Sequence, residues 1–273
     1  MTHAYATLTV LKTRLSISAT ADDTTLRLLL EAVSRVVDKW CRRHFCVWSA
    51  TRYEDGTGGR LFLSSDLLSV TTLKTDEDGN GVYENTFTSA DYLPYPLNGY
   101  PKLAIDLSHD SGYSHFAAGV RKGVEIAGIW GYGDGDSATP YSPAGVTATV
   151  ADGTSTSVTV SAAGDLAAGH TILVESEQMY ITAISGTTLT VVRAQNGTLG
   201  AAHTAKAVSI YQYPDAIREA TLMTAARLWR RKDSAFATII GGPEMGPTEI
   251  WQGLDPDVKL LMGPFVNTLR GFA

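Results

Sequence analysis

The chain has 273 residues, 44% of them hydrophobic and 18% charged, with a formal net charge of −6. That length allows one large or two medium domains with real cores, and the composition is that of a globular protein, not a disordered one. No stretch approaches the ~18 apolar residues of a membrane span, the start lacks the basic and apolar parts of a signal peptide, and the acidic balance excludes a protein that grips nucleic acid by its phosphates.

Leu8, Leu11 and Leu15 predict a short first helix ending near Ser16. Asp22 and Asp23 then offer an N-cap to a second helix, expected from Asp23 to Phe45. Its apolar positions Leu26, Leu29, Leu30, Val33, Val36, Val37 and Trp40 recur every three or four residues and make one stripe. Arg27, Glu31, Arg35 and Lys39 follow on the other face. Cys41 and Cys46 are expected on this helix, pointing to different faces, as reduced buried thiols.

From Trp48 to Tyr132 the alternation predicts short strands, with Arg60–Leu63, Leu67–Lys74, Lys102–Leu107 and Val120–Trp130 the clearest. Asp76 to Glu84 forms a sharp turn between two of them. Asp76, Asp78, Asn80 and Gly81 match the opening of a calcium loop, but Phe87 stands where the bidentate Glu belongs and no helix flanks it. A plain hairpin turn without metal is the expectation.

Gly131 to Pro143 has the composition of a linker. Beyond it, Ala144 to Tyr213 holds only six charged side chains: Asp152, Asp165, Glu175, Glu177, Arg193 and Lys206. Runs such as Ser157–Ser161, Thr171–Val174, Met179–Ile184 and Thr188–Val192 imply about six short strands, hence a small β-barrel or sandwich. Tyr180, Tyr211 and Tyr213 are too few for the aromatic platform of a sugar site.

The late helix opens at Pro214 and Asp215. It carries one stripe of Ile217, Ala220, Thr221, Thr224 and Leu228 and a second of Leu222, Ala225, Ala226 and Trp229. A helix apolar on two sides is sandwiched, either within the fold or between subunits, and the second stripe is the candidate for subunit packing. Arg227, Arg230, Arg231 and Lys232 close it, complementing the helix C-terminus or meeting an acidic partner or DNA. The Gly- and Pro-rich stretch Ser234 to Gly253 is expected to be a loop. Asp255 and Pro256 start a last short helix with Val258, Leu261, Met262 and Phe265 on one side, followed by a tail with Leu269, Arg270 and Phe272.

Chemistry-bearing patterns are missing. His3, His44, His109, His115, His170 and His203 lack metal-ligand spacing. His109 and His115, near Asp106 and Asp110, sit in a Ser/Gly-rich loop expected to be solvated. No nucleophile motif, phosphate loop or dinucleotide fingerprint occurs, since Gly131, Gly133 and Gly135 lack the strand and helix context. Glu175 and Glu177 share a strand face, which alone is weak evidence for a hydrolase. The expectation is no enzyme, no catalytic residue, no metal and no cofactor.

The segments Leu68-Ser69-Val70-Thr71-Thr72-Leu73-Lys74, Asp78-Gly79-Asn80-Gly81, Gly128-Ile129-Trp130-Gly131-Tyr132, Tyr213-Pro214-Asp215-Ala216-Ile217 and Leu254-Asp255-Pro256-Asp257-Val258 occur in this order. In that order they resemble the head-tail connector (adaptor) proteins of tailed bacteriophages. The insert is similar to a small β module of phage virion proteins, through Glu177-Gln178-Met179-Tyr180-Ile181-Thr182 and Arg193-Ala194-Gln195-Asn196-Gly197-Thr198. The resemblance implies an α+β fold with a helical-bundle core. Residues 1–143 and 214–273 would make the core, and 144–213 an inserted all-β domain that typical members lack. It also implies a ring of copies, commonly dodecameric, at the head-tail junction of a virion made in the bacterial cytoplasm. Its partners would be the portal protein and a tail-side neck protein (stopper or tail terminator), with DNA passing through the lumen without sequence-specific binding and no membrane. The last helix and tail (Val258, Leu261, Met262, Phe265, Leu269, Arg270, Phe272) would dock on the portal. The alternatives are another virion ring component, such as a tail terminator or baseplate protein, or a glycan-binding module using the insert.

Overall fold

The computed structural model describes residues 3–232, 239–240, 248–249 and 253–267. Helix α1 (Leu8–Leu15) is capped by the Thr7 side chain, which accepts from the Val10 N–H, and stops at Ser16 in a left-handed conformation. Helix α2 (Asp23–Cys41) ends four residues earlier than the apolar pattern implies, because Arg42 turns left-handed at φ 53° and returns its N–H to Asp38. Cys46 therefore lies beyond the helix. Both thiols are free and buried, and burial pushes each up to about 12, so they stay protonated.

The first sheet contains β1 (Trp48–Glu54), β2 (Arg60–Thr75), β3 (Asn85–Phe87), β4 (Tyr92–Tyr95), β5 (Lys102–Leu107) and β6 (Val124–Trp130). Its order is β1-β6-β2-β5-β4, all antiparallel, with β3 hairpinned onto the end of β2. The two strands expected at 60–63 and 67–74 are one long strand, irregular between Phe62 and Leu67, where its pairing to β5 shifts. Trp130, fully buried, fills the core beneath, among Leu61, Leu73, Ile105 and Phe116.

Strands β7 (Tyr141–Val150), β8 (Ser157–Val160), β9 (Thr171–Val174), β10 (Glu177–Ser185), β11 (Thr188–Gln195) and β12 (His203–Tyr211) close into a six-stranded barrel in the order β10-β11-β8-β7-β12-β9. Closure leaves no free edge, and apolar side chains such as Val158, Ile172, Met179, Ile181 and Leu189 fill the interior. The chain enters and leaves through paired strands, with Tyr141 opposite Tyr211, so the barrel begins three residues before the compositional boundary at Ala144.

Helix α3 (Asp215–Arg231) follows, then the two-residue pair β13 (Ile239–Ile240) and β14 (Thr248–Glu249). Helix α4 (Pro256–Met262) runs into a 3-10 turn at Gly263–Phe265. The two stripes of α3 go to two different cores of the same chain. Ile217 and Ala220 join Val37, Phe45, Val258 and Met262; Leu222, Ala225 and Ala226 join Leu11, Leu26 and Leu30. Thr221 and Thr224, also buried, satisfy their hydroxyls by donating to the carbonyls four residues back.

The fold is therefore α+β and mostly β, with four helices among the described residues. Its helical cores are not made by helices alone: Tyr180 of β10 enters one, and Leu68 of β2 and Tyr211 of β12 enter the other.

Candidate functional site

The feature that joins these parts is the face between barrel and helices. On β10 the side chains alternate, so Met179 and Ile181 point into the barrel while Tyr180 between them points out. Tyr180 is fully buried against α1, α2 and α3, and its hydroxyl donates to Glu31 Oε1 at 3.0 Å. Glu31 is held in turn by Arg27. One pleat earlier, Gln178 donates from Nε2 to the Val47 carbonyl at 3.1 Å and accepts from Asn196 at 2.6 Å. Tyr211 donates to the Phe45 carbonyl at 2.6 Å. Backbone bonds complete the seam: Leu8 N–H to the Ala168 carbonyl and Ser49 N–H to the Asn196 carbonyl, both 3.0 Å. At Gly197, with φ +79°, a Cβ would stand 2.4 Å from the Ser49 carbonyl oxygen, so glycine is required by both conformation and space. The barrel is thus fastened to the frame by buried contacts on several strands.

A second constellation locks the barrel's own loops. Glu177, with no exposed surface, receives Arg193 in a bidentate pair at 2.7 and 2.7 Å, and the N–H groups of Ala194 and Ala201. Arg193 spends its other donors on the carbonyls of Asp152, Ser155 and Ala201. His203 lies between two carboxylates, Nδ1 at 2.8 Å from Glu175 and Nε2 at 2.9 Å from Glu177, and Lys206 reaches Glu175 at 2.7 Å. Burial alone would raise the Glu177 carboxyl, but hydrogen bonds from Arg193, His203, Ala201 and Ala194 outweigh it and bring it down to about 2. Every donor of Arg193 is used, so the cluster is a staple, not a reactive pair.

Because the folded value lies below the unfolded 4.5, the stabilisation from Glu177 is fully present above about pH 4.5 and is lost as pH falls toward 2. Because the depressed His3 and His170 withdraw stability of their own below about pH 6.5, the Glu177 contribution is read as the difference in unfolding, followed by circular dichroism, between the parent and Glu177→Gln. That difference is expected to be constant from neutrality to about pH 5 and to shrink only below it; a difference already shrinking between pH 7 and 5 would contradict this assignment.

The turn at 76–84 is a hairpin between β2 and β3. Carboxylate oxygens of Asp76, Asp78 and Glu84 lie within 4.8 Å of one another. Both oxygens of Asp76 already accept backbone N–H groups, from Gly79 and Gly81 at 2.7 Å each, and Asp78 is occupied by Asn80. These bonds account for the turn without an ion. Adding millimolar calcium, or a chelator, is expected to leave the melting temperature unchanged; a calcium-dependent rise would assign a metal here.

Among the other sequence candidates, Asp106 is in a bidentate pair with Arg60 at 2.6 Å, and His115 lies 3.4 Å from Glu77, so these do not converge with His109 and Asp110. His3 is buried and His170 half-buried, and burial brings them down to about 3 and about 4. Of the subunit-packing stripe, Leu222, Ala225 and Ala226 are buried inside this chain under α1 and α2, and Trp229 packs at the edge of the same core, with Lys232 over its ring. The docking helix packs against this chain in the same way. Val258 and Met262 are fully buried, and Leu261 and Phe265 pack beside them, Phe265 against Phe45 and Tyr132. Arg227 holds the start of α4 through Asp255 and the Gly253 carbonyl. Leu269, Arg270 and Phe272 lie outside the described residues.

Sequence reasoning missed Arg193, His203 and Tyr180 as structural anchors. A lone arginine in an almost charge-free segment was the available signal. A comparison with protein-family models gives no match, and no curated protein matches the chain.

Proposed function

We propose that the chain is a structural subunit of a tailed-phage virion, forming a ring at the head-tail junction between the portal and a tail-side neck protein. It continues the DNA channel without gripping DNA in a sequence-specific way, and performs no catalysis. The observation that carries this reading is the seam described above: a β-barrel fastened to a helical frame by buried side chains moves with that frame as one body, as a ring subunit that joins two particles requires. The order of elements supports it, with two early helices, an antiparallel sheet, an inserted barrel, a long late helix and a short last one, as in the resemblance drawn from sequence. The helices would form the base that bundles around the channel, with the barrel standing away from it. The acidic balance suits a channel through which phosphates slide.

Reconstruction of purified virions at the neck tests this. Density for the chain as a ring between portal and tail is the expected result; its presence at the tail tip or its absence from the particle would overturn the proposal. Portal docking then falls to the end of the chain. Deleting residues 268–273 is expected to abolish capture by purified portal while leaving the fold intact, because Asn267, whose N–H donates to the Cys41 carbonyl at 2.8 Å, is retained. Capture at parental strength by that variant would remove the tail from the mechanism.

A further inference from the structure

Residues 3–7 precede α1 as a strap that belongs to no helix or strand, yet every one of them is buried. Successive side chains enter different cores: Ala4 and Ala6 join Leu26 and Leu30, while Tyr5 joins Phe45 and Tyr213. The strap lies between the helical frame and the barrel. On the frame side the Tyr5 N–H donates to Ser34 Oγ at 3.0 Å and its hydroxyl donates to Asp38. On the barrel side the Leu8 N–H donates to the Ala168 carbonyl at 3.0 Å. Gly169 comes so close that a Cβ there would stand 3.0 Å from the Ala6 carbonyl oxygen. With no strand ladder of its own, the strap can open without unpairing a sheet.

Two imidazoles meet it. The His3 ring stands edge-on to Tyr180, with centroids 6.4 Å apart, and neither ring nitrogen makes a hydrogen bond among the described residues. Burial opposes a cation there, and so do the positive charges that act on it: Arg35 of α2, the amino terminus and His44. The Asn196 side chain favours the cation and is outweighed. On the barrel loop, His170 lines a cavity of about 60 Å³ with Ala4, Tyr5, Ala6 and Thr7. Its Nδ1 accepts the Ala167 N–H at 3.2 Å, so a proton on that nitrogen would set donor against donor. Burial and Arg218 of α3 oppose the His170 cation, and Asp165 favours it.

Both rings are therefore neutral while the strap is docked. Release gives His3 to water and uncovers His170, which lets both take protons near the ordinary 6.5. Their folded values are depressed, so docking is fully favoured above about pH 6.5 and weakens as pH falls toward 4 and 3.

We propose that residues 3–7 are an acid-released strap, docked across the seam between barrel and frame at neutral pH and displaced when His3 and His170 take up protons. The inference rests on the fold and not on the ring reading.

Hydrogen exchange of the full chain tests it at the Tyr5 and Leu8 amides, read as protection relative to the free peptide at each pH. Between pH 7 and 5 their protection is expected to fall at least roughly twentyfold, the factor for one imidazole held at about 3 when docked and 6.5 when free. Amides of β10 and β11 are expected to stay more strongly protected throughout. H3F/H170N removes both titrations and leaves an amide oxygen to accept the Ala167 N–H, and it is expected to abolish the fall. Unchanged protection at Tyr5 and Leu8 in the parent would overturn the proposal, whether or not the variant folds. Equal protection in strap and barrel at every pH would overturn it too, because the strap would then leave only on global unfolding. A fall that persists in the folded variant would pass the effect to His44, which faces Asp38 at 3.3 Å, and the strap assignment would be wrong.

Discussion

Arg193→Ala is expected to destabilise the barrel by about 3–5 kcal/mol, the cost of breaking a buried ion pair from one side. The substitution leaves Glu177 without exposed surface and without its bidentate partner, and it takes away the Arg193 donors from three carbonyls, at Asp152, Ser155 and Ala201. His203 and the N–H groups of Ala194 and Ala201 remain, so the carboxylate stays partly satisfied and the loss stops short of the full desolvation of a charge. Arg193→Lys keeps a positive charge but delivers it as a point, without the fork, and should fall between the parent and the alanine variant. Hydrogen exchange in β10 and β11 reads the barrel separately from the frame, which matters because a chain with several cores need not melt in one step. Exchange in those strands that is unchanged by Arg193→Ala would show the staple to be dispensable.

This cluster also marks how far the sequence could be read. Local periodicity identified α1, most of α2, α3 and four of the six barrel strands, β8 to β11, because each repeats its apolar residues at the spacing of its own backbone. The early stop of α2 at Arg42 had no glycine or proline to announce it. The strands β3 and β4 are three and four residues long, and β4 contains Pro94, which is tolerable only because β4 lies at the sheet edge. The two stripes of α3 correctly implied a sandwiched helix, but periodicity cannot tell a neighbouring core from a neighbouring subunit, and here both faces are covered from within. Arg193 and His203 stand 16 and 26 residues from the Glu177 carboxylate they share, and only the strand pairing of the barrel brings them to it. Tyr180 was legible as a strand residue and not as an anchor, since alternation says that it points out of the barrel and is silent on what waits there.

Tyr180→Ala should therefore act at a distance from the barrel's own core. Removing a fully buried aromatic ring leaves a cavity among Leu26, Leu30 and Leu222, on helices far from β10 in sequence, and such truncations cost about 3–5 kcal/mol. The barrel interior loses nothing, because Met179 and Ile181 on either side keep their places. Tyr180→Phe keeps the ring and deletes only the hydrogen bond to Glu31, whose carboxylate retains Arg27, so its cost should be about 1 kcal/mol. The two variants separate packing from polarity, and their readouts separate barrel from frame. Faster exchange in α1, α2 and α3 with β10 to β12 unchanged is the expected pattern for Tyr180→Ala, and it would mean that the barrel is itself a structural part of the helical frame. Equal loosening of both would make Tyr180 a barrel residue first. No loosening of either would mean that the remaining ties, from Gln178, Tyr211 and the backbone at Ser49 and Leu8, hold the rigid body without it, and the seam would then owe its strength to hydrogen bonds more than to the buried ring.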